Sequence, residues 1–126
     1  MTATRQLKPM VLIVEDNEDL QDLYKLELSR DFLVLQATTT QEANFLYRQL
    51  GEYLFAVILD GNLGNENSLE LAMRIKADRY TGELIANSNH NRLQDELVEA
   101  GCRRNASKAD LPMLLQSLVH AASAPG

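Results

Sequence analysis

The chain has 126 residues, 45% of them hydrophobic, which suits one folded domain with one core and excludes intrinsic disorder. A formal net charge of −6 without any basic patch makes the domain a poor candidate for binding nucleic acid or an anionic membrane. Cys102 is the only cysteine, so no disulfide can close within the chain, and a reducing cytoplasm is the expected setting. Residues 1–9 read as an N-terminal extension: Arg5 and Lys8 precede no long apolar stretch, so no signal peptide is expected.

Met10–Val14 predicts a first strand, and it ends in Glu15-Asp16. Asn17 suits the N-cap of a helix running to about Ser29, with Leu20, Leu23, Tyr24 and Leu28 at helical spacing. Phe32–Gln36 predicts the second strand. Thr39 and Glu42 form a capping box for a helix through Ala43, Leu46, Tyr47 and Leu50, which Gly51 is placed to end. The third strand, Phe55–Asp60, carries its last acid straight into Gly61-Asn62-Leu63-Gly64. Asn67 with Glu70 repeats the capping pattern, opening a helix to about Ala77. Leu84–Asn87 predicts the fourth strand, and Leu93, Leu97, Val98 and Ala100 mark a fourth helix ended by Gly101. A weaker fifth strand covers Arg103–Ser107. Asp110 can then cap a last helix, with Pro112 in its first turn and Leu114, Leu115, Leu118 and Val119 inside. Ala121–Gly126 reads as a frayed tail or the start of a linker, leaving residues 10–120 as the domain.

Five short apolar strands alternating with helices predict an α/β fold, a doubly wound parallel sheet covered on both faces. Functional groups in such sheets gather beyond the carboxyl ends of the strands. If the first and third strands are neighbours, Glu15, Asp16 and Asp60 meet there. Clustered carboxylates repel one another, and a hard cation such as Mg²⁺ (or Mn²⁺) removes that penalty. Ser88, after the fourth strand, and Lys108, after the fifth, are expected at the same edge. Taken singly, each residue has a plain structural reading: Asp16 a helix cap, Asp60 an Asx-turn, Ser88 a loop hydroxyl, Lys108 a solvated side chain. Three acids, a hydroxyl and an ammonium together suit phosphoryl transfer to a carboxylate.

With those residues in place, the chain resembles the receiver domain of two-component response regulators, of the single-domain chemotaxis type, over about residues 9 to 120. Val14-Glu15-Asp16-Asn17 is similar to the family's acidic motif. Asp60 matches its phosphoacceptor, and Asn62 the position whose backbone carbonyl binds the metal. Ser88 matches the hydroxyl that contacts the phosphoryl group, and Lys108 the family's lysine, seven residues after Gly101. The resemblance implies a flavodoxin-like (βα)5 fold with strand order 2-1-3-4-5. It also implies a Mg²⁺-dependent phosphorelay in which a sensor histidine kinase or histidine phosphotransfer protein phosphorylates Asp60. Metal would be held by Glu15, Asp16, Asp60 and the Asn62 carbonyl, and a downstream effector or output domain would meet the helix 4–strand 5–helix 5 face. That face could also form a homodimer, which the sequence does not require. Such a domain is a phosphoacceptor, not an enzyme on other molecules.

Departures from the family pattern fall around the switch. Glu15 replaces the commoner Asp, Gly64 a Pro, and Ser68 a Gly. Asn89 stands where the family favours a small residue, and the resemblance implies that its side chain would shield the phosphoryl group or position water, altering the dephosphorylation rate. Asn105 replaces an aromatic, and Ala109 replaces the Pro after the lysine, so a cis bond there is not expected. Two rivals follow. One is a degenerate receiver acting as a phosphorylation-independent binding module. The other is a phosphatase of the haloacid dehalogenase type, which needs an acid where Asn62 stands.

Overall fold

The structure, a computed structural model, describes residues 8–60, 62–63, 66–88 and 91–123. Apolar segments β1 (Met10–Val14), β2 (Leu33–Ala37), β3 (Leu54–Leu59), β4 (Glu83–Asn87) and β5 (Arg104–Ala106) pair in parallel in the order β2-β1-β3-β4-β5. Five helices connect and follow them: α1 (Glu18–Leu28), α2 (Thr40–Leu50), α3 (Leu69–Ala77), α4 (Asn91–Ala100) and α5 (Leu111–Ser123). This is the expected doubly wound sheet, in the expected strand order.

Alternation along the strands splits the core in two. Leu12, Val14, Val57, Leu59, Leu84 and Ala86 pack with Ala43, Tyr47, Ala72, Ile75 and Leu97, from α2, α3 and α4. On the other face Val11, Ile13, Ala56, Ile58 and Ile85 pack with Tyr24, Leu28, Leu111 and Leu115, from α1 and α5. Each fully buried Leu or Ile contributes about 1.5–3 kcal/mol relative to exposure, so the two layers carry the stability. Cys102 belongs to the first layer, where burial pushes its thiol up to about 12 and keeps it protonated and inert at neutral pH. Among the described residues, no helix is long and apolar enough to cross a membrane.

Local chemistry sets the helix ends. Asn17 accepts the Leu20 N–H at 3.0 Å, and Thr39 Oγ1 accepts the Glu42 N–H at 3.1 Å. The return arm of the capping box lands one residue early, Glu42 Oε1 accepting from Thr38 N–H at 2.8 Å. Gly51 does follow α2, but in right-handed geometry that runs on as a short 3-10 turn to Tyr53. Gly101 closes α4 at φ +137°, where a side chain would be strained. Asp110 precedes α5, its carbonyl accepting the Leu114 N–H at 3.1 Å. That last helix runs through Ser123, into the stretch expected to fray.

Three further expectations change. Asn67 does not cap α3: it pairs in a two-residue antiparallel hairpin, Asn62–Leu63 with Glu66–Asn67, and the capping position falls to Ser68, which makes no side-chain cap bond. On α1, Leu23 stays 47% exposed, while Gln21 is buried for hydrogen bonding instead. Strand bounds shift by about a residue, so Asp60 is the first residue after β3 and not its last. Gly61, Gly64 and Asn89 lie outside the described residues, as do the side chains of Asn62 and Leu93.

The end of the sheet opposite the acids closes on Gly82. Tyr80 donates its hydroxyl to Leu54 O at 2.7 Å and meets Tyr47 edge-on, with ring centroids 5.8 Å apart. A Cβ at Gly82 would fall against the Tyr80 hydroxyl and 2.8 Å from Leu54 O. Gly82→Ala is expected to destabilise the fold by about 2 kcal/mol; a urea midpoint equal to the parent's would show that this corner relaxes freely.

Candidate functional site

Strand register builds the acidic edge. Val14 stands level with Leu59, so the residues after them, Glu15 and Asp60, emerge side by side. Backbone bonds continue the pairing: Asp60 N–H donates to Val14 O at 3.1 Å, and Glu15 N–H to Ala37 O at 3.0 Å. Asp16 follows at the surface. One ligand oxygen from each of Glu15, Asp16 and Asp60 falls within 4.8 Å of the others. The three acids do meet.

Lys108 reaches the same point from the far side. Its Nζ donates to Glu15 Oε1 and, at 3.2 Å, to Asp60 Oδ2. Glu15 and Asp60 are 2% and 5% exposed, a burial that requires such an opposite charge. Asn17 N–H donates to the other Glu15 oxygen at 3.1 Å, fixing the carboxylate plane. Desolvation is the main cause that pushes the Glu15 carboxyl above its ordinary range; the Lys108 bond opposes it and the Asp60 charge adds to it. The three acids and the ammonium carry a formal net charge of −2. An oxygen-rich set of that charge fits a hard divalent cation.

Ser88 is buried directly after β4, one step beyond Asn87. Leu59 pairs with Ala86 and Asn87 with Ala106, so Asp60, Ser88 and Lys108 leave adjacent strands at one edge. Asn62 opens the hairpin just after Asp60. Asn105 and Ala109 are exposed, and the Lys108–Ala109 bond is trans, as is every described peptide bond. No aromatic side chain stands at the Asn105 position to turn inward.

Sequence reasoning missed the polar side chains beneath the acids. Gln21 Nε2 lies within hydrogen-bonding reach of three carbonyls, those of Ile13, Glu15 and Ala37, at 3.0–3.1 Å. Ser68 donates its hydroxyl to Asp60 O at 2.6 Å. Gln94 reaches Ser88 O and, at 3.3 Å, Ala106 O. The available signals were faint: a Gln within an apolar helix stripe, and an Asn ending an apolar strand.

No family model matches the chain, and no curated protein matches it. Solved structures do. The receiver domain of Francisella response regulator 1452 superposes with a TM-score of 0.77 at 15% identity, covering 92% of this chain and 100% of that one. A two-component response regulator from Clostridium difficile gives 0.76 at 14%, covering 93% and 100%. A response regulator from Thermotoga maritima gives 0.73 at 21%, covering 90% and 99%. The chain therefore has the fold of response regulator receiver domains.

Two outcomes follow from the charges. A carboxyl raised on folding adds stability below its ordinary value of 4.5 and loses it as pH rises through the folded value. Glu15→Gln is therefore expected to melt higher than the parent at pH 7.5 in chelator, the advantage shrinking as pH falls toward 4.5; a lower melting temperature at pH 7.5 would show that the Lys108 pairing outweighs desolvation. Lys108 also competes with a cation for the same oxygens. Lys108→Ala is expected to tighten Mn²⁺ binding about tenfold by calorimetry, and weaker binding would place the cation elsewhere.

Proposed function

We propose that the chain is a response regulator receiver domain that accepts a phosphoryl group on Asp60 in a two-component phosphorelay. The observation that carries this reading is the Lys108 ammonium set on Asp60 and Glu15, with Asp16 beside them, at the carboxyl edge of a receiver fold. The donor is a phosphohistidine on a sensor histidine kinase or phosphotransfer protein. An Asp60 oxygen attacks phosphorus in line, a P–O bond forms, and the P–N bond breaks with its electron pair leaving on the imidazole. Lys108 pairs with a phosphoryl oxygen as it departs from the free carboxylates. The Ser88 hydroxyl donates to another oxygen.

Glu15, Asp16, Asp60 and the Asn62 carbonyl would hold Mg²⁺, which when bound neutralises the acids and the incoming phosphoryl charge. Hydrolysis by water returns Asp60 and inorganic phosphate, so the chemistry is confined to the domain itself. The added charge shifts the population between two packings of the α4–β5–α5 face, where an effector or output domain reads it. The proposed setting is the cytoplasm, with no nucleic acid bound by this domain.

Incubation with acetyl phosphate and Mg²⁺ is expected to add one phosphoryl group to the intact mass, and Asp60→Asn to abolish it. Persistent labelling of that variant would refute the site assignment. A parent that stays unlabelled, under conditions that label another receiver, would instead mark a degenerate binding module.

A further inference from the structure

A second polar connection lies beneath the acidic edge, and the chemistry above does not use it. Tyr24 and Asn87 are each 1% exposed, and Tyr24 sits in the apolar layer with Val11, Ile13, Ile85 and Leu111. The Tyr24 hydroxyl stands 3.1 Å from Asn87 Oδ1 and 3.1 Å from Lys108 O, its one proton shared between the two acceptors. Asn87 Nδ2 donates to Ala106 O at 3.2 Å. Asn87 ends β4 just before Ser88, and Ala106 ends β5 two residues before Lys108. The pair therefore ties together α1 and both chain segments that deliver the non-acidic groups of the site.

Packing alone does not call for these residues. Phe and Leu would fill the same space without the desolvation of a phenol and an amide. What the polar pair adds is placement, because it fixes the backbone carbonyl of the residue whose ammonium lies on Asp60 and Glu15. We propose that Tyr24, held in place by Asn87, is a positioning residue that fixes Lys108 on the acidic pair through its backbone carbonyl, without touching the reacting atoms. The inference deepens the phosphoacceptor reading and rests on it for its kinetic consequence.

The test uses Tyr24→Phe, the double variant Tyr24→Phe/Asn87→Leu, and Tyr24→Phe in a Lys108→Ala background, each checked for melting temperature. Loosening Lys108 removes a competing cation, so Tyr24→Phe is expected to bind Mn²⁺ about fivefold more tightly, the scale of one hydrogen bond. Labelling by acetyl phosphate at saturating Mg²⁺ should slow about tenfold. The double variant removes the Asn87 amide that Tyr24→Phe would leave without its hydroxyl partner, and Ala106 O keeps its bond from Gln94; it should melt no lower than Tyr24→Phe while keeping both functional changes, which a merely structural role would not produce. With Lys108 already removed, Tyr24→Phe should leave Mn²⁺ affinity unchanged. Unchanged Mn²⁺ affinity in the first two variants overturns the proposal, as does a full Tyr24→Phe effect that persists without Lys108. A parent that takes no label, yet binds Mn²⁺ more tightly as Tyr24→Phe, refutes the phosphoacceptor reading and upholds the positioning role.

Discussion

Two carboxylates, Glu15 and Asp60, are buried side by side just beyond the ends of neighbouring strands, and the Lys108 ammonium between them makes that burial tolerable. Isolated buried charges cost several kcal/mol each even after relaxation. Much of the architecture follows from bringing three distant chain segments to one point. Glu15 and Lys108 are 93 residues apart in sequence, and Asp60 and Lys108 are 48 apart. Only adjacency of β1 and β3, with β5 reached across β4, puts all three at one edge, and the order β2-β1-β3-β4-β5 supplies it. The ammonium does not fully neutralise the cluster, which leaves a reason for a divalent cation in addition to it.

Below the charges lies a layer of side-chain hydrogen bonds that anchors strand-end carbonyls. Gln21 serves the ends of β1 and β2, Ser68 the residue after β3, and Asn87 with Gln94 the ends of β4 and β5. Backbone groups leaving a sheet lose their ladder partners, and their burial demands replacements. The opposite end meets the same demand differently: Tyr80 donates to Leu54 O and a missing side chain at Gly82 lets it approach. One end of the sheet is closed by aromatic packing, and the other is held open by hydrogen bonds around ionisable groups.

Those two ends differed in how far they could be read from sequence. The strands were legible because they are buried on both faces, which makes them continuous apolar runs with punctuated ends. Glu15 and Asp60 were legible for the same reason, since an acid directly after such a run has few places to go, whereas Lys108 follows a weaker strand and was marked by its seven-residue spacing from Gly101. β5 was the weakest strand because it is an edge: Arg104 and Asn105 are exposed, and only Ala106 is buried. The hairpin beyond Asp60 carries no signal, each arm being two residues long. Gln21 and the Tyr24–Asn87 pair were illegible for another reason. Their roles depend on partners set by the fold, 63 residues apart for the pair, whereas helical spacing alone reads Tyr24 simply as core.

The exposed Asn105 bears on how a change at Asp60 could be felt elsewhere. An asparagine facing solvent on an edge strand has no ring to move into the interior, so side-chain rotation at that position cannot carry the change. Among the described residues, connections between Ser88, α4 and β5 run through backbone carbonyls. Gln94 on α4 donates to Ser88 O and reaches Ala106 O, while Asn87 donates to the same Ala106 O. Displacing the Ser88 backbone therefore strains a bond to α4, and α4 shares the Ala106 carbonyl with β5. Bonds of this kind respond to sub-ångström shifts, because angle and length both weaken them steeply. A displacement of Ser88 would therefore be felt at α4 and β5 through amide side chains.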